Sequence, residues 1–173
     1  MWSSINSFLV HWHRMKMTKY SITRHGLFRK SYKVWEGKAQ VYHITTDLWL
    51  KGMTLRTMDD QEVLYVKKTW SMFSKKFDLI INGEIRAEFT SNSSFSNSMD
   101  IATVMGLYFV DGNFWGNDYT IENEKEPIAK IARNSMSKTR YGIAIKPGHD
   151  NIFILGIVMV IELLGRIKKA ESS

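Results

Sequence analysis

The stretch from Ile152 to Leu164 constrains this chain more than any other. Its thirteen residues are apolar on every side, interrupted only by Gly156 and Glu162. As a helix rising about 1.5 Å per residue it reaches roughly 20 Å, short of the ~30 Å hydrocarbon core of a bilayer. A helix that is apolar all round must be surrounded. The alternatives to a protein shell are a membrane hairpin or an oligomer interface. The signals around the stretch agree with a helix over about residues 151–168. Pro147-Gly148 ends what precedes it, Asp150 is a suitable N-cap, and Lys168 and Lys169 lie near the negative C-terminal end.

Material for a shell is present upstream. From Tyr20 onward the apolar pattern has period two. Tyr32-Lys33-Val34-Trp35 runs into Glu36-Gly37 and then Val41 to Ile44; Met53-Thr54-Leu55 runs into Met58-Asp59-Asp60 and then Val63 to Val66. Phe77, Leu79 and Ile81 alternate towards Asn82-Gly83, and Ile85, Ala87 and Phe89 alternate away from it. Asn-Gly between two such runs is a strong hairpin signal, because both central residues need positive φ. The polar stretch Thr90 to Ser98 reads as a surface loop or linker, after which the strand pattern resumes. About 12 short strands and one apolar helix predict a mainly β fold: a closed antiparallel barrel wrapped around the C-terminal helix. Closure also removes the open edges that so many strands would expose.

The strands repeat. Tyr42 is followed seven residues later by Trp49, and Tyr108 seven residues later by Trp115. Met53-Thr54-Leu55 and Tyr119-Thr120-Ile121 follow at the same offset of 66, then an acidic turn, a second strand, and a third strand opening on Phe77 or Tyr141. This order predicts an internal duplication with units at about 41–82 and 107–146 within one domain over 17–173. Residues 1–16 form an N-terminal extension. Trp2, Ile5, Phe8, Leu9, Trp12 and Met15 fall on one face of a short amphipathic helix, with no positive region before them and no cleavage site after them.

Trp115-Gly116-Asn117-Asp118-Tyr119-Thr120-Ile121, Ile128-Ala129-Lys130-Ile131, Tyr141-Gly142-Ile143-Ala144-Ile145 and the helix after Asp150 resemble the LURP-one-related family of the tubby C-terminal-like superfamily. The likeness runs from about Met17 to Lys169. It implies a repeated set of strands closed around a hydrophobic C-terminal helix. It implies little about activity: tubby proteins bind phosphoinositides and phospholipid scramblases are relatives, but fold does not carry function. No stretch matches the tubby lipid-binding residues one by one. The chain has no cysteine and no clear acidic calcium loop, against what the scramblase relatives carry.

No catalytic motif occurs: no Gly-x-Ser-x-Gly, Walker A, His-Glu-x-x-His or Rossmann glycine pattern. The expectation is therefore a non-enzymatic protein, with no catalytic residue, metal or cofactor. His11 and His13 splay apart on a helix, and the acidic groups Asp59, Asp60, Glu62 and Glu122, Glu124, Glu126 read as solvated turns. Zero cysteines fit a reducing cytoplasm, and the expected location is cytoplasmic, peripheral at the membrane. The net charge of +7 favours an anionic partner. Nucleic acid is not expected, because no nucleic-acid motif accompanies the charge. Lys67-Lys68 and Lys75-Lys76 flank one hairpin loop containing Trp70, Met72 and Phe73. An apolar tip between basic flanks suits an anionic membrane surface, so Lys67, Lys68, Lys75, Lys76, Trp70 and Phe73 are the candidate phospholipid headgroup contacts. Arg24 to Lys30 is a further basic feature. The alternative function is a scaffold that binds a protein partner through the Trp-rich N-terminal segment.

Overall fold

The computed structural model of the chain describes residues 16–26, 31–69, 74–91, 98–103, 106–113, 116–133 and 140–173, with backbone only at 98–100. Twelve strands run in chain order: β1 (Thr18–His25), β2 (Ser31–Glu36), β3 (Ala39–Thr46), β4 (Gly52–Thr57), β5 (Glu62–Thr69), β6 (Lys75–Ile81), β7 (Glu84–Ser91), β8 (Ser98–Thr103), β9 (Gly106–Asn113), β10 (Asp118–Asn123), β11 (Pro127–Arg133) and β12 (Arg140–Ile145). Each pairs antiparallel with its neighbours in sequence, and β1 pairs with β12 to close the barrel. One helix, α1 (Asn151–Glu171), follows.

The turns form as their residues require. Asn82 and Gly83 join β6 to β7 with φ of 53° and 78°, the positive values of a tight hairpin turn. The acidic turns after β4 and β10 each carry a register shift at the matching place, between Leu55 and Arg56 and between Ile121 and Glu122. The windows 41–82 and 107–146 cover β3–β6 and β9–β12, six strands apart on the barrel. Of the polar stretch Thr90 to Ser98, Thr90 and Ser91 complete β7 and Ser98 opens β8, while 92–97 lie outside the described residues.

Inward-facing positions of the strands and nearly the whole length of α1 form one core. Residues 153–164 and Ile167 are buried, including Gly156 and Glu162. Asp150 caps the helix by accepting from the backbone N–H groups of Ile152 and Phe153 at 3.0 and 3.1 Å. Gly156 sits where a Cβ would meet Leu79 Cδ1 at 2.5 Å, so its missing side chain lets α1 approach β6. Among the described residues, no helix is long and apolar enough to cross a membrane.

Strand polarity sorts the connections. Those after β1, β3, β5, β7, β9 and β11 lie at the end where α1 exits, and the others at the end where it enters. Contacts of α1 fix this: Lys75 at the start of β6 pairs with Glu171, and Thr46 at the end of β3 accepts from Arg166.

Candidate membrane-facing end of the barrel

Alternation along β5 and β6 divides the four lysines singled out in the sequence. Lys67 and Lys76 are exposed on the outer face, whereas Lys68 and Lys75 sit half-buried on the inward side at the strand ends. Lys75 is committed to Glu171 in an ion pair, which ties β6 to the end of α1. Lys67 lies opposite Asp78, whose carboxyl is pushed up by its burial and by Glu88 on β7, with Lys67 partly offsetting both. Lys68 and Lys76 form no ion pair among the described residues. Trp70 and Phe73 lie outside the described residues, as do the N-terminal segment up to residue 15 and Trp115.

Two further groups join these lysines. Lys51, between β3 and β4, is tied to the β5 strand because its carbonyl accepts from the Lys68 backbone N–H at 2.8 Å. At the exit of α1, Leu50, Arg166, Lys169, Ala170 and Ser173 line an open cavity of about 210 Å³. The exit end thus gathers Lys51, Lys67, Lys68, Lys76, Arg166 and Lys169.

The sequence reading missed the feature between β3 and β4. It used Trp49 only as a marker of the repeat, yet Trp49 is 90% exposed and Leu48 63%. Both Trp49 and Leu50 have positive φ, 64° and 55°, which is unfavourable for bulky side chains. The base of the loop holds them there. Asp47 donates its N–H to the Gly52 carbonyl at 2.9 Å, and the Tyr65 hydroxyl donates to the Asp47 carboxylate at 2.8 Å. Burial and that carboxylate push the Tyr65 phenol up to about 12. No local sequence signal marks this loop as projecting, since its Tyr65 and Lys68 pins come from β5.

The opposite end carries Asp59, Asp60, Glu62, Glu84, Glu124 and Glu126 in or beside its turns, with Lys38, Lys125 and Lys146 among them. Asp60 lies 3.8 Å from Arg56 and 3.4 Å from His43, while Glu126 pairs with Lys146 at 2.6 Å. Among the described residues, no group of three or more His, Asp or Glu is placed to hold a metal ion.

Arg24, read in the sequence as part of a basic surface feature, instead turns onto α1. Its guanidinium meets the Glu162 carboxylate at 2.8 Å, and the Tyr32 hydroxyl donates to the other carboxylate oxygen at 3.2 Å. Burial would lower the Arg24 pKa, but Glu162 more than offsets this and raises it. Tyr32, Tyr119 and Tyr141 are fully buried around the same carboxylate. Burial first, and then its negative charge, push all three phenols up.

The sequence of strands and the helix they enclose match a known family. The model of the LURP-one-related family covers residues 15–162. The chain belongs to the LURP-one-related family. A protein of Arabidopsis thaliana, known from an X-ray structure, shares the fold with a TM-score of 0.62. That similarity covers 87% of this chain and 93% of the plant protein at 9% identity, so it speaks to fold alone. No curated protein matches the chain. This LURP-one-related barrel therefore gathers basic residues and a projecting apolar tip at one end, and turns that mix carboxylates with lysines at the other.

Proposed function

We propose that this LURP-one-related domain is a non-enzymatic binding protein whose ligand is an anionic membrane surface, met through phospholipid headgroups at the exit end of the barrel. The observation that carries this reading is the set of lysines gathered there whose side chains make no ion pair or hydrogen bond among the described residues: Lys51, Lys68, Lys76 and Lys169. A lysine with no carboxylate beside it keeps its full charge for an external phosphate. Each basic residue near an anionic leaflet contributes about 1 kcal/mol, so several acting together support binding that one alone would not. The exposed carboxylates of the entry end, Asp59, Asp60 and Glu84 among them, are repelled by the same surface, which favours one orientation. The location that follows is peripheral, on the membrane face of the compartment that holds the protein.

Sedimentation with phosphatidylcholine vesicles, with and without phosphatidylserine, tests this. Binding is expected only where the anionic lipid is present. Reversing Lys67, Lys68 and Lys76 to Glu together removes at least ~3 kcal/mol of attraction, on the order of 100-fold in partitioning. Lys75 is left out of that variant because its partner is Glu171. Equal recovery of the unmodified protein with neutral and anionic vesicles would remove the proposal.

A further inference from the structure

We infer that the Leu48–Trp49 tip of the β3–β4 loop is a membrane wedge, entering the headgroup–acyl boundary while the surrounding lysines hold phosphates. This rests on the membrane reading above and adds a second, apolar component to it. The loop is built to project. Its base is pinned at Asp47 by Gly52 and Tyr65 and at Lys51 by Lys68. Leu50 folds back on the core and lines the cavity with Arg166 and Lys169. Leu48 and Trp49 are left outside, the latter in a left-handed backbone conformation that is unfavourable for a bulky residue. Strain of that kind persists only where the surroundings over-determine it, and it clusters at functional positions.

The setting selects a bilayer as the occupant. Trp is the side chain best suited to the boundary between headgroups and acyl chains. Lys51 follows the tip directly in the chain, and Lys68 and Lys169 stand beside the loop base and the cavity. Among the described residues, the other exposed large apolar side chains do not share this setting. Met58, Ile85 and Leu107 lie at the entry end, where Asp59, Asp60 and Glu84 adjoin the first two. An anionic surface that attracts the exit end disfavours those positions.

The test uses the full chain and Trp49→Gly. Glycine accepts the positive φ freely, so this variant relaxes the loop while deleting the wedge, and loss of binding cannot come from a strained fold. Sedimentation is measured on phosphatidylcholine–phosphatidylserine vesicles. Burying about half of an indole predicts partitioning on the order of 30-fold weaker for Trp49→Gly. The apolar part of binding should also survive 1 M salt, where the Debye length is about 3 Å, in the parent protein and not in the variant. Phosphatidylcholine brominated on its acyl chains, mixed into the same vesicles, should quench part of the tryptophan emission, and Trp49→Phe should remove that part. If the parent binds and Trp49→Gly binds equally, the wedge is wrong and the headgroup reading stands. If the parent does not bind anionic vesicles at all, both fall. If Trp49→Gly instead changes the molecular mass in solution, the tip meets a second copy of the chain, and the wedge is overturned.

Discussion

The Arg24–Glu162 pair allows a prediction with an asymmetry worked from its geometry. The two side chains meet at 2.8 Å, but they are unequally placed: the Glu162 side chain is 7% exposed and that of Arg24 34%. Replacing Arg24 by Met strands a buried carboxylate beside the Tyr32 hydroxyl, which donates to it at 3.2 Å. Breaking a buried pair in this direction costs about 3–5 kcal/mol. Replacing Glu162 by Gln instead keeps an acceptor for Tyr32 and leaves Arg24, whose long stem lets its head reach water. The loss is then one charge-assisted hydrogen bond, about 1.5–3 kcal/mol. The double variant removes both charges, so it should be more stable than Arg24→Met alone even though it carries one more substitution. Urea unfolding followed by far-ultraviolet circular dichroism, with the slope m unchanged, gives the three differences. Equal costs for the two single variants, adding up in the double, would refute the claim that the stranded carboxylate is what hurts.

Two other outcomes follow from the interior. The phenols of Tyr32, Tyr119 and Tyr141 are held above their ordinary value of 10 in the folded state, so above pH 10 the unfolded chain releases protons that the folded one keeps, and stability falls as pH rises. The slope approaches about 4 kcal/mol per pH unit for the three together, and the share of phenolate absorbance that these three contribute should appear with unfolding rather than before it. For Gly156→Ala, the added Cβ meets Leu79 Cδ1, and Leu79 has no exposed surface into which to turn. The gain of about 1 kcal/mol in helix propensity is outweighed by overpacking of about 1–3 kcal/mol. Thermal unfolding of Gly156→Ala with Leu79→Ala should then show less than the sum of the single losses.

What was legible in the sequence is what local chemistry decides. Alternation gave the strands, Asn82-Gly83 gave a turn, and Asp150 gave the start of α1, each within a few residues. The barrel followed from a negative argument: a helix apolar on all sides needs walls, and twelve strands need closure. The site was only partly legible. Lys75 read as free because its partner lies 96 residues away on α1. Arg24 read as surface because Glu162, its partner, lies 138 residues away. Trp49 read as a structural repeat marker because its projection depends on Asp47 being held by Tyr65 from another strand. Each miss is a long-range contact, and periodicity carries no information about those.

The same helix explains where binding can occur. A barrel of this size has room inside for a ligand when nothing else fills it. Here α1 fills it, and its buried length is apolar apart from Glu162, which Arg24 and Tyr32 already satisfy. An all-round apolar helix also has no preferred rotation of its own, so the polar ties set its register: Glu162 to Arg24 and Tyr32, Arg166 to Thr46, and Glu171 to Lys75. All three lie in the exit half. They spend Lys75, Arg24 and part of Arg166 on holding the helix, and they leave Lys51, Lys68, Lys76 and Lys169 uncommitted to any carboxylate among the described residues. That leaves the outer surface for the membrane contact proposed above. The end that combines unspent positive charge with a pinned, projecting tryptophan is suited to a surface that is anionic outside and apolar just beneath.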